Sequence, residues 1–313
     1  MHFLLELRYR AALGVLAIIR VLPYSMILNL FRCLAAVAWL VLPYHRKVAA
    51  IQMRSALGIR DVHLLTLKVF MNQAEILVDA VRYAYLSDKE IREKVVVKNS
   101  EFLDEALASG RGLMMITGHI GNWEILSHLP RLLGTQFCVM ADQREDPRLE
   151  SIVDRIRTRS GATILPPRGK ALMLIRELRK GSTIGMVIDG RGDVKDGPFC
   201  DVFGLPAPTN PAPAFIAIKG RAIVLPVAAV KIDGTYHITF HKPVYAVSYG
   251  TDEDAARNVS VFMQSWVASV VKDHPEQWFW LYSRWLKRSD MKRVIKKGLD
   301  FKEHVFSQAN KKP

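Results

Sequence analysis

The chain has 313 residues, of which 50% are hydrophobic and 24% are charged. This composition excludes a disordered tail, and no repeat period is present, so we expect one large α/β domain or two small ones. The net charge of +14 lies at the ends: residues 1–60 have eight basic and one acidic side chains, and residues 284–313 have ten and three. Nucleic-acid binders carry such charge across the domain that reads the nucleic acid. We therefore expect no nucleic-acid partner and favour an anionic membrane surface at the N-terminal end, while the C-terminal end is equally well explained as a solvated tail.

The first apolar segment covers residues 11–44. Four residues interrupt it, so that it lacks the clean apolar run of a simple spanning helix: Arg20, Pro23, Asn29 and Arg32. Two structures fit, one helix over 25–44 or two helices broken at Pro23 that lie in the membrane interface. The basic residues 45–47 that follow predict a cytoplasmic flank. A buried core helix of a soluble protein is the alternative.

Residues 61–86 have apolar side chains at helical spacing, which predicts one or two amphipathic helices. After residue 94, short apolar runs alternate with helical stretches, and this alternation predicts an α/β fold with a mostly parallel sheet flanked by helices. The predicted strands are 112–117, 136–140, 163–165, 183–188, 222–230 and 235–240, and the predicted helices between and after them are 101–109, 122–133, 148–160, 170–180, 209–219 and 253–273. Ligands bind at the carboxyl ends of such strands, so we expect the chemistry in the loops after residues 117, 140, 165 and 188.

The loop after the strand 112–117 has a sequence suited to proton transfer. Gly118 and Gly121 allow a tight turn, and Asn122 is a typical N-cap for the helix that follows. His119 precedes this helix and Glu124 lies in its first turn. We predict that His119 is a general base oriented by the Glu124 carboxylate, and that the N–H groups at the helix start stabilise an oxyanion.

The sequence offers no nucleophile to complete a catalytic triad, because no G-x-S-x-G elbow exists and no serine or cysteine stands in a comparable setting. We infer that the substrate supplies the hydroxyl, which His119 deprotonates as it attacks an activated acyl group. A metal hydrolase is the other possibility, since Glu124 and His128 form an E-x-x-x-H pair. Neither an H-E-x-x-H motif nor a third ligand is evident, and the three cysteines are widely spaced, so we expect no metal.

Several blocks, taken in order, resemble the lysophospholipid acyltransferase superfamily, and in particular its branch of late lipid A biosynthesis acyltransferases. They span roughly residues 5–290. The blocks are the basic stretch 46–58, the GHIGNWE of residues 118–124, the R-x-R-x-G of residues 157–161, Asp189 at a strand end, the FGLPAPT of residues 203–209 and the tryptophan-rich ending 274–288. The family often has an acidic-glutamine pair at the strand end, whereas Gly190 and Arg191 follow Asp189 here.

The resemblance implies transfer of an acyl group from acyl carrier protein to a hydroxyl of a lipid A precursor, at the cytoplasmic face of the bacterial inner membrane, without metal or cofactor. It implies a membrane-anchoring segment over 1–60, an acyltransferase domain over 61–290 and a basic tail over 291–313. Catalysis is expected from His119 and Glu124. The residues expected to bind substrate are Arg157, Asp189, Asn122 and Gly121.

Some alternatives stay open. Arg157 can contact a phosphate of the acceptor or of the carrier's phosphopantetheine, or it can be a cation that complements the end of its helix. Asp189 can pair with Arg157, orient the acceptor or serve as a turn residue. The acceptor can be another membrane glycolipid, acylated from acyl-CoA or acyl carrier protein. A non-catalytic membrane scaffold is the rival of a different class, although the presence of both His119 and Glu124 opposes it.

Overall fold

The structure is a computed structural model that describes residues 2–140, 146–165, 170–195, 197–250 and 253–310. The loops expected after residues 140 and 165 begin outside these ranges. The helices are α1 (His2–Val21), α2 (Tyr24–Val41), α3 (Pro43–Leu57), α4 (His63–Tyr83), α5 (Asp88–Lys94), α6 (Glu101–Ala108), α7 (Leu129–Leu133), α8 (Pro147–Arg159), α9 (Lys170–Arg179), α10 (Ala212–Gly220), α11 (Glu253–Asp273), α12 (Arg288–Lys297) and α13 (Phe301–Asn310). The strands are β1 (Val95–Lys98), β2 (Leu113–Thr117), β3 (Cys138–Met140), β4 (Thr163–Leu165), β5 (Thr183–Val187), β6 (Phe199–Val202), β7 (Leu205–Pro208), β8 (Ile223–Ile232), β9 (Thr235–Phe240) and β10 (Val244–Tyr245), and short 3₁₀ helices cover Trp123–His128, Ala246–Tyr249 and Pro275–Gln277.

An eight-stranded sheet forms the centre of the described chain, in the order β1-β9-β8-β2-β5-β3-β4, with β10 paired to β8. The pairs are parallel except for β8 with β9 and β8 with β10, which are antiparallel. The middle strand β2 is buried along its whole length. Because β2 and β5 run in parallel, the loops after Thr117 and Val187 meet at the same edge of the sheet.

The predicted fold class is confirmed, and each of the six predicted strands is present within one or two residues of its expected bounds. Three features of the sheets were not predicted: the edge strand β1, the strand β10 of two residues, and the β6–β7 hairpin. The helices α5, α12 and α13 were not predicted either. The hairpin turns at Phe203 and Gly204, which both have positive φ. A turn of that kind usually shows glycine or asparagine at both positions, so phenylalanine at the first one conceals it in the sequence.

The N-terminal segment is a pair of helices, the second of the two structures expected for it. The chain breaks between α1 and α2 at Pro23, which lacks an N–H and cannot continue a helix. Helix α2 lies along α4, where the Trp39 indole donates to Thr66 at 3.0 Å and Arg32 pairs with Glu75. Its outer face leaves large apolar side chains exposed: Leu30, Leu34, Val37, Leu40 and Val41. The helix is long and apolar enough to cross a membrane, and 22% of it is buried inside the structure, so it is consistent with membrane association.

The tryptophan-rich ending is part of the core. Trp278, Trp280 and Trp285 are each at most 3% exposed, and their rings contact one another. Of the two sequence-based readings of this segment, a membrane aromatic belt or a core, the structure shows the core for these three side chains. Tyr282 is 47% exposed and lies outside that cluster. The cluster places the segment 277–284 against the loop that follows β2.

Candidate active site

The loop after β2 is fixed by backbone hydrogen bonds on both sides. The Gly121 N–H donates to the carbonyl of Gln277 and the Asn122 N–H to that of Ala229 on β8, each at 2.8 Å. Gly121 has φ +56°, and a Cβ atom there would lie 2.0 Å from the Ala229 oxygen. Only glycine therefore allows the loop to sit this close to β8. The loop is held rigidly at the carboxyl end of the central strands.

His119 is oriented by Asp189, which follows β5. The imidazole Nδ1 lies 2.8 Å from Asp189 Oδ1, and the His119 backbone N–H donates to Oδ2 at 2.8 Å. The Trp278 indole N–H also donates to Oδ2, at 2.6 Å. Asp189 is buried, whereas 38% of the His119 side chain is exposed. The carboxylate is thus hidden behind an imidazole that faces solvent.

The charge state of Asp189 determines the tautomer of His119. Burial alone would raise the pKa of the Asp189 carboxyl, but the charge and hydrogen bonds of His119 and the bond from Trp278 hold that pKa below its usual value. The carboxylate is therefore ionised at neutral pH and can only accept. Nδ1 of His119 must donate to it, so that in the neutral imidazole Nε2 is the nitrogen that accepts a proton. This is the arrangement of a general base with its orienting carboxylate.

The structure corrects the pairing that we expected for His119. The carboxylate at Nδ1 is that of Asp189 rather than Glu124. Glu124 instead forms two hydrogen bonds with Arg157 on α8, at 2.9 and 2.6 Å. Of the alternatives left open for Asp189, a pairing with Arg157 is not the one observed, since Asp189 is bonded to His119 and Trp278. Residues 123–128 form a 3₁₀ helix rather than the expected α-helix, and Trp123, not Glu124, packs against the imidazole with ring centroids 4.8 Å apart.

The other two predicted site residues lie in the same loop. Asn122 is fully buried and makes no side-chain N-cap bond, contrary to expectation. Its Nδ2 lies 3.4 Å from the Tyr236 hydroxyl, and its Oδ1 has no partner among the described residues. Since the backbone amides of Gly121 and Asn122 already donate to protein carbonyls, these two amides are not the oxyanion donors we expected at the helix start. Substrate binding by either residue stays a prediction.

His128 has the character of a core residue. Its Nε2 lies 3.0 Å from the Ser160 hydroxyl, and burial, with Arg131 nearby, lowers the pKa of His128 to about 3. Glu124, its partner in the E-x-x-x-H pair, is bound to Arg157. Neither side chain is arranged as a metal ligand.

A cavity of about 200 Å³ opens beside the imidazole. Its lining combines the His119–Asp189 pair with residues for which the sequence predicted no catalytic or substrate-binding role. The lining residues are His119, Asp189, Gly190, Trp278, Phe279, Tyr282 and Arg284. The spacing of residues along the chain cannot reveal this contribution, because the 278–284 segment reaches the site through long-range contacts, among them the Phe279 N–H that donates to the His119 carbonyl at 3.1 Å.

Comparison with known proteins gives a family for this geometry. Residues 2–287 match the model of the bacterial lipid A biosynthesis acyltransferase family. No curated protein sequence matches the chain. Among solved structures, it is similar to the 1-acyl-sn-glycerophosphate (LPA) acyltransferase PlsC from Thermotoga maritima, with 19% identity over 81% of this chain and 97% of that one and a TM-score of 0.38.

Proposed function

Because the chain belongs to the bacterial lipid A biosynthesis acyltransferase family and is an O-acyltransferase, we propose that it transfers a fatty acyl group from acyl carrier protein to a hydroxyl of a lipid A precursor. His119 is the general base of this reaction. The observation that carries the proposal is the hydrogen bond of 2.8 Å between His119 Nδ1 and the buried Asp189 carboxylate, beside an open cavity.

The reaction balances with the groups at hand. The acceptor hydroxyl gives its proton to His119 Nε2 while its oxygen attacks the carbonyl carbon of the acyl thioester. The tetrahedral intermediate then collapses, the carbon–sulfur bond breaks, and the imidazolium returns the proton to the departing thiolate. Asp189 stays ionised and stabilises the imidazolium. General-base assistance of this kind accelerates a reaction by about 10² to 10⁴.

Glu124 and Arg157 remain part of the proposed mechanism, but their roles differ from those predicted from the sequence. Their bidentate pair is 17–19% exposed, and it joins the first turn after the catalytic loop to helix α8. A catalytic role of Glu124 is therefore exerted through Arg157 rather than through Nδ1 of His119. Arg157 remains our candidate for a phosphate of the acceptor or the donor, since the planar guanidinium matches the geometry of a phosphate.

We also propose that the enzyme is anchored at the cytoplasmic face of the inner membrane, with α2 lying in the interface. Helix α2 is bonded to α4 at three points along its length, Trp39 to Thr66, Arg32 to Glu75 and Tyr24 to Asp79. A helix that is attached to the protein along its length exposes one apolar face and packs its other face against the protein. The basic residues 45–47, which follow directly, favour contact with anionic lipid on the cytoplasmic side.

Acyl transfer by the purified protein tests this function. Lipid A precursor vesicles are mixed with acyl carrier protein or coenzyme A loaded with the same acyl chain, and the lipid product is identified by mass spectrometry. We expect one added acyl group per acceptor, faster transfer from the carrier protein, and a control variant, His304→Ala on α13, that matches the wild type. Transfer from coenzyme A alone would overturn the donor, and no acylation of this acceptor would overturn the substrate.

A further inference from the structure

Arg284 is a cation in the interior of the protein. The residue is 1% exposed, and its backbone N–H donates to Gln52 Oε1 at 2.8 Å. Its guanidinium donates to the Pro208 carbonyl at 2.5 Å, to Thr209 Oγ1 at 3.0 Å and to Gln264 Oε1 at 3.1 Å. These acceptors are all neutral, and the Nε atom has no hydrogen-bond partner among the described residues.

The charge of Arg284 is retained although no carboxylate in the described residues forms an ion pair with it. Burial lowers the pKa of Arg284 to about 10, and attraction to Asp189 acts in the opposite direction. The guanidinium is therefore protonated at neutral pH. A buried charge without an ionic partner is unfavourable. Arg284 lines the same cavity as His119 and Asp189.

We propose that Arg284 is a positioning residue of the acyl transfer, whose buried positive charge acts on Asp189 and thereby on the proton affinity of His119. This inference rests on the proposed function. Arg284 forms no hydrogen bond with Asp189 in the structure, so it acts through its electric field. The field stabilises the ionised Asp189 carboxylate and disfavours a second proton on the imidazole, which favours the neutral form of His119 that accepts a proton.

Other charged and titratable groups of the described residues lie near Arg284 and His119. Arg191, on the loop after Asp189, is a second cation that acts on Arg284, together with Cys200 and Tyr282. On the other side of His119, the Glu124 and Arg157 charges compensate each other. Arg284 is buried whereas Arg191 is partly exposed, and the field of Arg284 is therefore the less screened by water.

A purely structural role gives a different expectation. Arg284 donates to residues at the end of β7. The loop after Asp189 packs against the same end, where the Gly192 N–H donates to the Pro208 carbonyl and Arg191 forms a β-bridge with Thr209. If Arg284 only supports the packing of this loop against β7, its loss lowers activity equally at all pH values. If its charge acts on the pair, its loss raises the pKa of His119. In a medium of effective dielectric about 20, a unit charge several ångströms away changes a pKa by roughly one unit or more.

The test is the titration of the His119 imidazole by NMR in the full-length protein, using histidine labelled with ¹⁵N and His119→Ala to assign the signal. Arg284→Gln removes the charge and keeps hydrogen-bond donors, Arg284→Met is a second neutral variant in case the first does not fold, and Arg284→Lys keeps the charge. The exposed Arg288→Gln is the control for loss of a positive charge. This readout does not require acyl transfer, so it separates this inference from the proposed function.

We expect the pKa of His119 to rise by about one unit in the neutral Arg284 variants and to stay unchanged in Arg284→Lys and Arg288→Gln. In the pH profile of acyl transfer, the acid limb should move to higher pH by the same amount in the neutral variants. An unshifted His119 titration in a folded neutral variant would refute the role of the charge. An equal shift in Arg288→Gln would refute its assignment to Arg284.

Discussion

Asp189 and His119 are 70 residues apart in sequence, yet the Asp189 carboxylate accepts from both the imidazole Nδ1 and the backbone N–H of His119 at 2.8 Å. The two hydrogen bonds fix the ring and the loop that carries it as one unit. Since Asp189 is also held by Trp278 at 2.6 Å, the carboxylate has no freedom to turn away. This relationship defines the site and leads to the first prediction.

Asp189→Asn should lower the rate of acyl transfer by about 10³-fold or more, because an amide can donate to Nδ1 and so stabilise the wrong tautomer of His119. The kcat of the folded variant is measured with saturating donor and acceptor, and KM should change little. A rate within a factor of ten of the wild type would show that Asp189 does not orient the base.

Glu124 and Arg157 should be coupled. Either single substitution, Glu124→Gln or Arg157→Met, leaves one partly buried charge without its partner, so we expect each to cost about 1 to 3 kcal/mol of stability and the double variant to cost less than their sum. Unfolding by urea measures the four free energies. Additive losses would contradict a direct interaction between the two side chains.

The activity of the same variants separates a structural from a catalytic role. If Glu124 only neutralises Arg157, the double variant should regain activity along with stability. We expect it not to, because Arg157 is our candidate for phosphate binding and Glu124 sets the direction of its guanidinium. Recovery of the wild-type rate in the double variant would remove both residues from the reaction.

His128 should make the protein less stable in mild acid. Its pKa falls from 6.5 in the unfolded chain to about 3 in the folded protein, so the unfolded chain binds the proton first as the pH drops. This contribution is fully present above about pH 6.5 and is lost as the pH falls towards 3. Between pH 7.5 and pH 5 we expect a loss of about 2 kcal/mol in the free energy of unfolding. His128→Gln should remove that part of the pH dependence, and an unchanged slope would contradict it.

The outer face of α2 should be required for membrane binding. Leu34 and Leu40 are 53% and 61% exposed, and burying each in lipid contributes about 1.5 to 3 kcal/mol. The double variant Leu34→Glu with Leu40→Glu should reduce partition into vesicles of anionic lipid by at least about 10²-fold, as measured by flotation. Leu172→Glu, at a residue of α9 that is 68% exposed, is the control. Equal flotation of all three proteins would place the anchor elsewhere.

Much of the fold was predictable, because its signals are local. The six predicted strands are short apolar runs bounded by glycine or polar residues, and the break at Pro23 follows from the geometry of proline alone. The edge strand β1 and the β6–β7 hairpin were not predictable in this way. Residues 95–98 directly continue a helix, and the hairpin turn has a phenylalanine where glycine is usual. The domain boundaries at residues 60 and 290 stay a prediction.

The site was only half predictable for a physical reason. His119 lies between two glycines at a strand-to-helix turn, a local pattern that identifies it. The sequence predicted that its orienting carboxylate is Glu124, five residues further along the chain. In the structure residues 123–128 form a 3₁₀ helix and Glu124 pairs with a residue of α8. The orienting carboxylate is instead Asp189, which the parallel pairing of β2 with β5 brings to the same edge of the sheet. Arg284 lines the cavity because its segment, 277–284, packs against the loop after β2. Contacts of this kind depend on how the whole sheet is assembled, so no regular spacing of residues along the chain indicates them.

The most direct test of the central claim is the single-turnover rate of acyl transfer by His119→Ala, compared with the wild type at saturating acyl carrier protein donor. Near-UV circular dichroism and the free energy of unfolding confirm that the variant is folded. We predict a loss of at least about 10²-fold, the lower limit for removal of a general base. A folded His119→Ala variant that transfers the acyl group at the wild-type rate would contradict the role of His119.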